Sequence, residues 1–89
     1  MRAGYSMPLF FFDTDDGDFR LEDDEGFELP SLDAARIKAL DALPDMARNK
    51  LPDRDRHTFS VQVRDADGNL VYSAWLELVG EWHVPRHDS

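Results

Sequence analysis

The sequence predicts an α+β fold: a small antiparallel sheet of three to four strands, in the order β-β-α-β-β, with one helix packed on one face. Three observations predict it. Residues 57–65 and 70–79 alternate apolar and polar, with Asp65-Ala66-Asp67-Gly68-Asn69 between them. Period-two alternation across a Gly-containing turn marks a hairpin. Leu32, Ala35, Ala39, Leu43, Met46 and Ala47 recur at helical spacing, with Leu40 at the rim of their stripe. Leu9-Phe10-Phe11-Phe12 is short, aromatic and followed by polar turn residues, the pattern of a buried strand. One amphipathic helix covers one sheet face and leaves the other to water or a partner.

Taken in order, residues 1–6 carry no pattern and are expected to form a flexible leader, with Met7 as the natural start. A single domain is expected over 7–82 and a polar tail over 83–89. The first strand is four or five residues long and ends at Asp13. A polar turn over 13–18 follows, and Phe19-Arg20-Leu21 alternates as a short second strand hairpinned to the first. Asp23-Asp24-Glu25-Gly26 is a second turn, and Phe27-Glu28-Leu29 an extended lead-in to Pro30.

Ser31 is placed to cap the helix N-terminus, and Asp33 in the first turn suits the helix dipole. Pro44 lacks the N–H that would bond the carbonyl of Leu40, so a kink is expected, or a break followed by a short segment from Pro44 to Asn49. Leu51-Pro52 ends it. His57 opens the next strand and is expected at the surface. The last hairpin has two open registers. A three-residue loop with Gly68 at a bulge pairs Asp65 with Asn69 and puts Phe59, Val61 and Val63 beside Val71, Ser73 and Trp75. A four-residue loop pairs Asp65 with Leu70 and puts them beside Tyr72, Ala74 and Leu76. The longer apolar series favours the second, and a one-residue slip exchanges the faces.

The chain has 89 residues, enough for one domain with a thin core. With 42% hydrophobic residues it has the apolar content of a small globular domain. It has no Cys, hence no disulfide scaffold and no thiolate metal site.

The net charge is −9, unevenly spread. Residues 1–33 hold two basic and ten acidic residues, 34–64 seven basic and four acidic, and 65–89 one basic and five acidic. Such a charge repels phosphate and anionic lipid, so general nucleic-acid and membrane binding are disfavoured. Arg48, Lys50, Arg54 and Arg56 form a local basic patch, with Asp53 and Asp55 inside it. The longest apolar run near the N-terminus, Met7–Phe12, contains Pro8 and is too short for a signal or a spanning helix. A cytoplasmic location is the expectation.

Motifs for chemistry are thin. Neither Asp/Gly cluster has the EF-hand spacing: Gly17 at the sixth position puts Phe12 at the first, and Gly68 there puts Val63 at the first. Asp13, Asp15, Asp16 and Asp18 retain only a weak calcium-type potential. His83 and His87 have a zinc-helix spacing, but Pro85 lies between them. No nucleophile elbow and no Gly-rich phosphate loop is present, and no cofactor is expected. Of the aromatics, Trp75, Trp82 and one of Phe10 or Phe12 are expected outside the core, where they would anchor an interface.

Met7-Pro8-Leu9-Phe10-Phe11-Phe12-Asp13, then Gly26-Phe27-Glu28-Leu29-Pro30-Ser31-Leu32-Asp33-Ala34-Ala35, then the hairpin from Phe59 to Gly68 together resemble an uncharacterised family of short acidic bacterial proteins. That family has a Met-Pro-x-Phe/Tyr-Phe-Phe-Asp opening and a Gly-x-Glu-Leu-Pro-x-x-x-Ala-Ala segment. The resemblance covers residues 7–79; Pro44 and the tail after Gly80 depart from the family pattern. It implies no catalytic residues, because the family has no established activity. The element order also resembles, at fold level only, the antitoxin half of some toxin–antitoxin pairs.

The functional expectation is a non-enzymatic cytoplasmic protein-interaction or regulatory module, binding a protein partner or a second copy. Its contact candidates are Trp75, Tyr72, Trp82, Asp15, Asp16, Asp23 and Asp24. The alternative is an antitoxin-like, nucleic-acid-linked regulator using Arg48, Lys50, Arg54 and Arg56. No small-molecule substrate is evident.

Overall fold

The computed structural model describes residues 7–48, 50 and 55–85. The expected leader over 1–6, Arg54 and His87 lie outside these residues. The fold is α+β, with five strands and one helix: β1 Leu9–Asp15, β2 Arg20–Leu21, β3 Phe27–Glu28, α1 Leu32–Arg48, β4 Arg56–Arg64 and β5 Leu70–Val79. The strand order is β2-β1-β4-β5, all pairs antiparallel, and β3 pairs with the N-terminal end of β1.

The strand count exceeds the expected three to four because the lead-in to Pro30 is itself paired. Phe27 stands opposite Phe10, and Glu28 opposite Leu9. Lys38 of α1 holds this short strand from above, its ammonium 3.9 Å from the Phe27 ring centre, while Phe27 meets Phe12 edge-on. The first strand runs past Asp13, because Asp13, Thr14 and Asp15 continue the ladder against Gln62, Val61 and Ser60.

Helix α1 is one uninterrupted element through Pro44, so of the expected kink or break the break does not occur. Ala35, Ala39, Leu43 and Ala47 are all buried, so its apolar face packs on the sheet both before and after the proline, which is itself exposed. That packing outweighs one missing backbone bond. Three alanines on this face let the helix approach β4 and β5 closely. Ser31 caps the N-terminus as expected: its Oγ accepts the Ala34 N–H at 3.0 Å. Leu32 belongs to the stripe by spacing but is exposed at the first turn.

The core is formed by Phe59, Val61 and Val63 of β4, with Phe10, Ala74 and the helix alanines. Each large apolar side chain buried here contributes roughly 1.5–3 kcal/mol. The final hairpin contains both registers. Over most of its length Phe59 faces Leu76, Val61 faces Ala74 and Val63 faces Tyr72. At the turn, the Asp65 N–H donates to the Asn69 carbonyl, and Gly68 has φ +87°. One extra residue on β5, Val71, reconciles the two: Arg64 pairs with Leu70 and Val63 with Tyr72.

His57 is buried, against the expectation of a surface site. It shares the inner face with Phe59 and stacks on it at 4.5 Å between ring centres. Its Nε2 meets the Asp16 carbonyl and so carries the proton, which leaves Nδ1 buried without a hydrogen-bond partner among the described residues. Against the expectation that one of Phe10 or Phe12 lies outside the core, Phe10 is buried and Phe12 half-buried; Phe19, which is not among the expected, is exposed.

Candidate interaction surface

The β4–β5 ladder sorts the last third of the chain onto two faces, because residues directly opposite each other share a face. His57, Phe59, Val61 and Val63 face α1 together with Leu78, Leu76, Ala74 and Tyr72. Thr58, Ser60 and Gln62 face away from it, with Glu77, Trp75 and Ser73. The uncovered face is thus polar, with Trp75 standing in it at 65% exposure.

The phase of the hydrogen bonds decides what the rim of the sheet presents. The Gly80 N–H donates to the Asp55 carbonyl. Antiparallel ladders alternate bonded and non-bonded pairs, so Leu78, Leu76, Ala74 and Tyr72 turn their backbone groups to β4. A second marker agrees: the Phe12 N–H donates to Asp23 Oδ2, away from β4, and so Val63 bonds towards β5. The N–H and C=O groups of Ser73, Trp75, Glu77 and Val79 therefore point outward. No strand among the described residues pairs with this edge. It is ten residues long and holds no Lys, Arg or Pro, the residues that usually blunt an edge strand.

At the other side of the sheet the acidic turns are scaffold. Asp13 lies on the uncovered face but is 1% exposed. Arg64 grips it with Nε to Oδ2 at 2.7 Å and Nη2 to Oδ1 at 3.0 Å, and Nη2 also donates to the Asp23 carbonyl. Arg20 lies 3.6 Å from the same carboxylate, and the Asp23 N–H donates to it at 3.0 Å. The Arg64 hydrogen bonds hold the Asp13 carboxyl below its usual range despite burial. Asp23 stands in for a strand between β2 and β3, accepting from the N–H groups of Phe12, Glu25 and Gly26. Burial opposes its ionisation, but these donors together lower its pKa. Asp15 accepts from Gly17, and Asp16 from Asp18 and Phe19. Among the described residues no three carboxylates or histidines gather as a metal cluster.

The contact candidates therefore separate. Trp75 and Trp82 are exposed, whereas Tyr72 packs partly against the core. Asp15, Asp16 and Asp23 fold their own turns, and Asp24 is exposed. Three members of the basic patch lie among the described residues. Arg48 pairs with Asp45 at 2.9 Å, Lys50 lies 3.4 Å from Asp18 and 3.8 Å from Asp16, and Arg56 is exposed at the start of β4. A shallow cleft of about 520 Å³ opens between β1, β2 and the end of α1, lined by Thr14, Phe19, Arg20, Leu21, Met46 and Lys50 among others. Neither this cleft nor which strand forms the free edge is readable from the sequence, because both depend on strand order.

A family model for a domain of unknown function matches residues 9–76, most of the chain. No curated protein and no solved structure matches. No helix among the described residues is long and apolar enough to cross a membrane.

Proposed function

The chain belongs to the DUF6894 family, and we propose that it is a non-enzymatic protein-interaction module that takes up an extended segment along β5. The observation that carries this reading is the row of outward backbone groups at Ser73, Trp75, Glu77 and Val79, on an edge with no partner strand among the described residues. An added strand gains backbone hydrogen bonds there, and side chains of alternating direction supply selectivity. Trp75 is the aromatic anchor beside that row, large enough to dominate a small interface. The nucleic-acid reading gains no support, since Arg48 and Lys50 are committed to Asp45, Asp16 and Asp18.

The test is Glu77→Pro. Proline at an outward position removes an edge donor and leaves the β4 ladder its bonds. A partner captured in stoichiometric amount by the wild type, lost with Glu77→Pro and Trp75→Ala, and protecting the outward β5 amides from exchange supports the reading. A partner retained by both folded variants contradicts it.

A further inference from the structure

We infer that the strand seated on the β5 edge is β5 of a second copy, paired antiparallel about a two-fold axis at Trp75. This rests on the reading of β5 as the binding edge and names its occupant. The first argument is the direction of the backbone groups. Two antiparallel strands exchange bonds only between residues whose N–H and C=O point at each other. On β5 these are the odd-numbered residues from Ser73 to Val79, as fixed by the Gly80–Asp55 bond. A two-fold axis perpendicular to the sheet sets odd against odd and keeps helix-facing residues opposite helix-facing residues, so both helices lie on one side of a continuous sheet.

The second argument is the register. Centred on Trp75, the pairing sets Trp75 against its own counterpart, Ser73 against Glu77, Ala74 against Leu76 and Tyr72 against Leu78. Aromatic meets aromatic, small meets large, and the only charged side chain of the strand meets a hydroxyl. With the register shifted by two residues the axis passes at Ala74 and the fit is poorer: alanine stacks on alanine, Tyr72 meets Leu76 and Glu77 meets Val71. The register also covers Leu76, which faces the helix side yet remains 39% exposed because β5 is the last strand.

The third argument is charge. A net −9 opposes self-association in general. The 15–18 turn reaches β4, where the Asp16 carbonyl meets His57, but the acidic turn over 23–26 lies across the sheet, with β1 and β4 between β2 and β5. At about 4.8 Å per strand that is roughly 14 Å, beyond the Debye length of about 8 Å at physiological salt. Glu77 is the one charge on the edge strand itself, and Arg56 and Arg64 lie on β4 beside it. One strand pair covers less than the roughly 800 Å² per partner of a standard interface, so the dimer is expected at micromolar protein or above and to strengthen with salt.

Sedimentation of the full chain from low micromolar to near-millimolar concentration tests this, together with cysteine pairs, which the Cys-free sequence makes clean. A monomer–dimer equilibrium is expected, weakened about tenfold or more by Trp75→Glu, which sets two like charges across the axis, and by Glu77→Pro, with circular dichroism unchanged. Ser73→Cys mixed with Glu77→Cys should oxidise to a cross-linked dimer, and neither variant alone should. A chain that stays monomeric at every concentration overturns the inference, as does a dimer that Trp75→Glu leaves intact, or cross-linking of Ser73→Cys alone as strong as in the mixture. A monomer whose outward β5 amides are protected by a different, captured partner overturns self-pairing while the edge reading stands.

Discussion

Arg64→Ala removes the grip on a carboxylate that the fold has taken out of water. Wild-type Asp13 is held by two Arg64 bonds, at 2.7 and 3.0 Å, and Arg64 also satisfies the Asp23 carbonyl at 3.0 Å. Breaking a buried ion pair from one side costs about 3–5 kcal/mol. Two features reduce that figure. The Arg64 side chain is a quarter exposed, and Arg20, at 3.6 Å, remains near the stranded carboxylate. A loss of about 2–3 kcal/mol is therefore expected, out of a total of roughly 5–13 kcal/mol for a chain of this size. With about 4–8 °C per kcal/mol, the melting midpoint should fall by roughly 8–24 °C. Asp13→Asn keeps the shape and loses only the charge, so it should cost less. The double variant should be more stable than the two single losses predict, by about 1 kcal/mol or more, because both act through one pair. Urea unfolding followed by circular dichroism, at protein concentrations too low for association, measures all four proteins. An Arg64→Ala loss below about 0.5 kcal/mol, or strict additivity, would refute the assignment of this pair as the polar centre of the sheet.

Gly17→Ala should destabilise by about 1–3 kcal/mol, since Gly17 has φ +94° and a Cβ there would lie 2.7 Å from His57 Nε2; thermal melts check it, and a wild-type midpoint would show that the turn does not clamp His57. Ser31→Ala should cost about 1 kcal/mol through loss of the cap to the Ala34 N–H, read from urea unfolding. Acid should unfold the domain progressively. The carboxyls of Asp13, Asp23 and Asp65 are lowered from the ordinary value of 3.8. The unfolded chain thus takes up protons first as pH falls, and the stability these groups contribute is present above about pH 4 and lost below it. A pH series of unfolding curves should show that slope, and Arg64→Ala should flatten it.

The hairpin and the helix were legible because their burial repeats with period two and with helical period, and Ser31 because a cap acts on its own neighbourhood. The favoured hairpin register holds from Arg56 to Val63, while the other describes the turn, with Val71 inserted between them. His57 was readable by parity, as it precedes Phe59, Val61 and Val63 at even spacing, but its polarity argued for the surface. Asp13 could not be paired from sequence, because Arg64 lies 51 residues away. Strand order was equally hidden, and with it the exposure of the β5 edge.

Amide exchange along β5, followed residue by residue as protein concentration rises, bears most directly on the edge. Inward amides of Tyr72, Ala74, Leu76 and Leu78 should be slow throughout. Outward amides of Ser73, Trp75 and Glu77 should be fast when dilute and become protected as copies associate. Outward amides that stay fast at every concentration, in a chain whose inward amides are protected, would contradict a β5 edge filled by its own counterpart.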